Sequence, residues 1–150
     1  MPYLPTTMPP LQQTATSAPF WEHCAQRRLM FQCCGDCGRL VHPPLPVCPR
    51  CHSLNRQWRE APQAGRVFSF TWIHTAAHDA VADALPYNVA LVEFPDMPGV
   101  RLVSNVVDAE RGRLKIGDAV TLHWDEGVDG QWLPRFRLAS GVETGEVGQA

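Results

Sequence analysis

The sequence predicts a mainly β protein, built from one short helix, a metal-stapled segment and five strands. Three observations carry this. Two Cys-x-x-Cys pairs, Cys34-Gly-Asp-Cys37 and Cys48-Pro-Arg-Cys51, stand ten residues apart. From Gly65 onward apolar and polar residues alternate with a period of two, the repeat of a strand with one buried face. Proline- and glycine-rich turns then divide that half into five runs.

The chain has 150 residues, 45% apolar and 19% charged, with a net charge of −2. A domain of this size buries roughly two thirds of the surface its unfolded chain exposes, so a core forms. The composition is that of a folded protein. No apolar run reaches the ~18 residues of a membrane span, and the N-terminus lacks the basic-then-apolar pattern of a signal peptide. A cytoplasmic protein without membrane contact is therefore expected, and its six cysteines point to metal or redox chemistry before disulfides. The small net charge conceals an asymmetry. Residues 1–66 hold seven arginines against three acids, and residues 67–150 six basic against twelve acidic residues.

Residues 1–18 contain Pro2, Pro5, Pro9 and Pro10 and no apolar period, so a disordered tail is expected. Ser17 then offers an N-cap oxygen, with Pro19 in the first turn. Trp21, Cys24, Ala25, Arg28 and Leu29 form a helical stripe that fades near Arg28–Met30, where an extended segment begins. Residues 53–65 read as a polar connector. Five strands follow at Val67–His74, Tyr87–Phe94, Val100–Val107, Ala119–Trp124 and Trp132–Leu138, with Pro95-Asp96-Met97-Pro98-Gly99 suited to a hairpin. Residues 141–150 read as a flexible tail.

The candidate metal ligands are Cys34, Cys37, Cys48 and Cys51. Two knuckles supply four thiolates, the ligand set of a closed tetrahedral structural zinc site. Iron fits the same cage, and zinc is preferred. Gly38 is placed to adopt the positive φ such a turn demands, while Pro43, Pro44 and Pro46 stiffen the link between knuckles. Cys33 and Cys24 read as core or strand residues, and His52 is left outside a completed shell. A four-thiolate ion has no open position for chemistry, so no catalytic residue is assigned.

Other candidates have simpler readings. His74 and His78 have helical ligand spacing but fall on a strand end and a loop; His123 lies on an exposed strand face. Phe68, Phe70, Trp72, Trp124, Trp132 and Phe136 are expected mostly in a barrel core, although a stacking platform uses the same residues. Arg101, Arg135 and Arg137 read as solvated strand charges.

Taken in order, Pro19-Phe20-Trp21-Glu22, the two knuckles with Pro43-Pro44 between them, Gly65 to Thr71, Leu85 to Val92, Gly99-Val100-Arg101-Leu102, Ile116 to Val120 and Pro134-Arg135-Phe136 resemble one family. It is the acyl-CoA-associated zinc-ribbon/OB-fold proteins, domain-of-unknown-function family thirty-five. The resemblance runs from about Ser17 to Ala139 and implies a rubredoxin-like zinc ribbon within residues 19–64 and a five-stranded OB barrel within residues 65–140. It also implies a non-catalytic accessory subunit of a thiolase-superfamily enzyme (thiolase, acyltransferase or aldolase type), in a hetero-oligomer that shares a CoA thioester site. The alternative is a single-stranded nucleic-acid-binding ribbon/OB protein. The acidic C-terminal half and the single lysine, Lys115, argue against it, and no nucleic-acid partner is expected.

Overall fold

The computed structural model describes residues 2–140. The expected flexible tail at 141–150 lies outside the described residues. Helix α1 spans Ala18–Ala25. A three-stranded antiparallel sheet follows, from β1 (Met30–Cys34), β2 (Leu40–Val41) and β3 (Arg56–Glu60), in the order β2-β1-β3. The remaining strands are β4 (Ala64–Ile73), β5 (Tyr87–Glu93), β6 (Arg101–Ser104), β7 (Ala119–Glu126) and β8 (Trp132–Leu138), in the order β6-β5-β4-β7-β8.

The helix is shorter than its apolar stripe suggests. It stops at Ala25 because the chain turns at Arg27, whose φ is 55°. Leu29 is nevertheless buried, now from the entry to β1. Ser17 does not cap the helix with its side chain; its hydroxyl instead accepts from the Thr14 amide at 2.9 Å. Strand β3 falls within the stretch read as a polar connector. Its residues are mostly exposed, so no apolar alternation betrays it, and its pairing with β1 from Met30↔Glu60 to Cys34↔Arg56 is what defines it.

The five C-terminal strands close into a barrel. At the open edges, Val106 and Phe136 form a parallel bridge, with the Val107 amide donating to the Phe136 carbonyl at 2.8 Å. Asn88 pins this closure from β5. Its Nδ2 donates to the Val106 carbonyl and its Oδ1 accepts from the Val106 amide, each at 2.8 Å. Asn88 is fully buried, so both bonds are made away from competing water.

One core runs through ribbon and barrel. Phe20 of α1 lies 6.4 Å from Phe31 of β1, Phe31 lies 5.5 Å from Phe94, and Phe94 lies 6.1 Å from Phe136 of β8, centroid to centroid. Each ring is almost fully buried, and Val67, Val92, Val106 and Val120 fill the barrel around them. The aromatic alternation expected along β4 is broken by a bulge between Val67 and Ser69. Val67 therefore takes the inward position, and Phe68 is turned out beneath Arg101, whose guanidinium carbon sits 3.7 Å from the ring centroid. Phe70 and Trp124 pack partly against the core, and Phe136 lies wholly inside it.

Residues 2–17 contain no helix or strand, in keeping with their prolines, yet they rest on the barrel. The Tyr3 hydroxyl accepts from the Asn88 amide at 3.3 Å, and the Tyr3 amide donates to Asp125 at 3.0 Å. Among the described residues no helix is long and apolar enough to cross a membrane.

Candidate metal centre

The two knuckles have the same local construction. In the first, the Gly38 amide donates to the Cys34 carbonyl at 2.9 Å; in the second, the His52 amide donates to the Cys48 carbonyl at 3.0 Å. Each turn ends on a left-handed residue, Gly38 at φ 74° and His52 at φ 60°. The position expected of Gly38 is thus observed, and His52, although no ligand, is the second knuckle's counterpart of that glycine.

These turns bring the Sγ atoms of Cys34, Cys37, Cys48 and Cys51 within 4.8 Å of one another. Cys34 and Cys51 are 3.5 Å apart, and Cys37 and Cys48 are 3.7 Å apart. A tetrahedron with metal–sulfur bonds of ~2.3 Å has edges of about 3.8 Å, so the cage fits a zinc ion with little adjustment.

The electrostatics favour a cation. Amides of Cys37 and Asp36 point at the Cys34 sulfur and lower its thiol to about 6. Amides of Cys51 and Arg50 likewise hold Cys48 below the ordinary thiol range. Cys51 accepts from the Ser53 amide, which favours its thiolate, but the sulfurs of Cys34, Cys37 and Cys48 outweigh that and push it up to about 12. Four adjacent thiolates cannot all ionise unaided. A divalent ion removes the conflict, leaving the cluster at −2.

Cys33 sits half-buried on β1 outside the cage, and Cys24 is a fully buried core residue whose thiol is pushed up to about 12 by burial. Among the described residues, His74 and His78 join no metal cluster. His78 instead accepts from the Ala80 amide at 3.1 Å, capping a 3-10 turn over Asp79–Ala84. His123 lies 3.4 Å from Arg137 on the strand face.

Arg135 departs from the expectation of a solvated charge. Its side chain is 13% exposed, and its Nε lies 3.6 Å from Asp125, itself 9% exposed. Burial lowers the Arg135 guanidinium from its ordinary range, while Asp125 opposes that shift. At 3.6 Å the contact is an ion pair without a hydrogen bond, and among the described residues Nε has no other partner. A second Arg135 nitrogen donates to Asn105. Asn88 and Asp125 were not singled out by sequence reasoning, since neither sits in a spaced motif; the one available signal was a polar residue at an inward position of an alternating strand.

A short helix, a four-thiolate ribbon and a closed five-stranded barrel define a zinc-ribbon/OB-fold protein. The ChsH2 rubredoxin-like zinc ribbon domain matches residues 21–55, and the ChsH2 C-terminal OB-fold domain matches residues 58–125. The chain belongs to the ChsH2/DUF35 family. It is 33% identical to a DUF35 domain-containing scaffold protein of Methanothermobacter thermautotrophicus, over 73% of this chain and 85% of that protein. It is 42% identical to a probable enoyl-CoA hydratase alpha subunit of Thermomonospora curvata over 80% of its own length, but spans only 37% of that protein. Among solved structures, a chain described as an Ltp2-ChsH2(DUF35) aldolase superposes with a TM-score of 0.78 and 38% identity, over 86% of this chain and 98% of that one. A DUF35 protein of unknown function from Sulfolobus solfataricus shares the fold at a TM-score of 0.58 and 22% identity, over 85% of this chain and 87% of that one.

Proposed function

We propose that the chain is a non-catalytic accessory subunit of a thiolase-superfamily enzyme, which it binds, stabilises and helps to furnish with an acyl-CoA site. The observation that carries this reading is the likeness over almost the whole length of a chain described as an Ltp2-ChsH2(DUF35) aldolase. The scaffold description of the Methanothermobacter relative and the hydratase description of the Thermomonospora relative support the same setting, a protein working beside CoA-thioester enzymes.

The four-thiolate cage supports a holding role. With four sulfurs around one ion, no position remains for a carbonyl or a water, so the ion staples the ribbon and does not act on substrate. Zinc is the proposed occupant, and the cytoplasm the proposed location. In this reading the reacting side chains belong to the larger partner.

Affinity purification of the full chain from its native host tests the proposal. A thiolase-like subunit should co-purify in fixed ratio, and the complex, but not the isolated chain, should turn over a member of a small acyl-CoA panel. Recovery of the chain as a lone monomer, or turnover by the chain alone, would overturn it.

A further inference from the structure

We infer that the β7–β8 end of the barrel is a docking groove for an extended, proline-bearing peptide, occupied in the free chain by residues 2–11 as a releasable strap. Tyr3 is the anchor. Its hydroxyl accepts from the Asn88 amide at 3.3 Å and from Asn88 Nδ2 at 3.2 Å, and its own amide donates to the Asp125 carboxylate at 3.0 Å. The Arg135 guanidinium carbon lies 5.9 Å from the Tyr3 ring centroid, so the ring also covers the Arg135–Asp125 pair. Further along, Leu4 and Met8 line a cavity of about 190 Å³ together with Val128 and Leu133.

The segment is held as a ligand is held, not as a core element. Among the described residues, no backbone N–H or C=O of residues 2–17 pairs with the backbone of a strand. No side chain of that stretch is fully buried, and Leu11 is 47% exposed. Beyond Tyr3, its one hydrogen bond to the barrel among the described residues joins Gln13 to Gln131 at 3.3 Å on the surface. A segment integral to the core packs down onto the apolar side chains beneath it, whereas this one arches over a cavity. Pro2, Pro5, Pro9 and Pro10 fix φ at four positions, which lowers the conformational entropy lost when the stretch docks.

The chemistry of the occupant follows from what the strap covers. With Tyr3 lifted, the groove offers the Asn88 donors, the Asp125 acceptor and the apolar flanks of Val128 and Leu133. Those groups match an aromatic hydroxyl, a backbone N–H and apolar side chains, all supplied by an extended peptide. The Asp125 carboxylate at the anchor point disfavours an anion there. Because the strap is tethered, it competes with a free peptide at an effective concentration on the order of millimolar. The inference concerns the free chain and does not depend on the identity of its enzyme partner.

Fluorescence anisotropy of a labelled synthetic peptide spanning residues 2–13 tests it against two full-length, metal-loaded chains. The wild type should bind the peptide weakly, because its own strap is in place. A chain carrying Tyr3→Ala, whose anchor site is free, should bind it about tenfold more tightly, and a peptide carrying Tyr3→Ala should lose that gain. Circular dichroism and metal content should be unaltered in the variant chain. Independently of any variant, the wild-type Asn88 amide should exchange through a local opening that is insensitive to low denaturant. Equal binding of the peptide by both chains, binding that survives loss of the peptide's tyrosine, or saturable binding by neither chain would overturn the inference. An Asn88 amide that exchanges only through global unfolding would make the segment a fixed part of the fold and overturn it likewise.

Discussion

Gly38 and His52 occupy equivalent places in the two knuckles, each one residue beyond a cysteine, with φ of 74° and 60°. Only the first is a residue suited to that backbone. A left-handed conformation costs an L-residue roughly 1–2 kcal/mol, partly offset by the extra chain entropy glycine loses on folding. His52→Gly should therefore stabilise the metal-loaded protein by about 0.5–1 kcal/mol, and Gly38→Val should destabilise it by a larger margin. Denaturant midpoints at constant slope give the comparison.

Loss of the metal should release the whole ribbon. A four-thiolate cage without its ion leaves the thiols of Cys34, Cys37, Cys48 and Cys51 crowded within 4.8 Å and held together by little else. Chelation, or Cys34→Ala, should melt the ribbon, change the fluorescence of Trp58, and lower solubility and partner assembly together. Elemental analysis showing unaltered metal in Cys34→Ala would remove Cys34 from the ligand set.

Acid should weaken the protein through His42. Its ring is wedged 5.2 Å from Phe20 and 5.0 Å from Phe31, its Nδ1 has no partner among the described residues, and burial lowers it to about 4. Because the folded form resists protonation, the unfolded chain binds the proton first, and stability rises with pH over that interval. The contribution is complete above about pH 6.5, falls away as pH drops towards 4, and levels off below that, for a total of roughly 2–3 kcal/mol. His42→Phe should flatten this part of the profile, measured by denaturant melts at pH 7, 6 and 5.

Opening the barrel should be costly. Asn88→Ala removes both bonds to Val106, stranding its buried amide and leaving its carbonyl only the long bond from the Ala109 amide at 3.5 Å, a loss of about 2–3 kcal/mol. Asn88→Asp should be no better, since it keeps the acceptor but loses the donor to the carbonyl. Amide exchange at Val106 and Val107 should quicken in either variant.

Asp125→Asn should destabilise the chain by about 3 kcal/mol, because it strands the largely buried Arg135 without its counter-charge. The double change Asp125→Asn with Arg135→Leu should recover part of that loss. Equal cost in the single and double variants would argue against coupling between the two.

The cage was legible because chelation imposes a local rule: two pairs at fixed spacing, each turning on a few residues. The strands of the barrel were legible for a related reason, since Ala90, Val92, Val120 and Leu122 alternate with outward neighbours. What escaped were features set by distant contacts. The β4 bulge that exposes Phe68 leaves no mark in a pattern of aromatic residues. Strand β3 exists through its pairing with β1, and Arg135 is covered by Tyr3, which lies far away along the chain, as well as by Asp125 of the neighbouring strand. Periodicity reads the face of a strand. It does not read what comes to lie against that face.

The bridge between Val106 and Phe136 also limits how another chain can attach. It ties the segment after β6 to β8, so a strand added along that seam would meet an interrupted edge. The ribbon sheet, ordered β2-β1-β3, ends in β3, whose outer edge is unpaired among the described residues. Its flank carries Arg56, Arg59 and Glu60, charges that discourage indiscriminate strand-to-strand association. Attachment at that seam is thereby directed to side-chain contact, whereas an incoming strand would find hydrogen-bonding groups on the outer edge of β3.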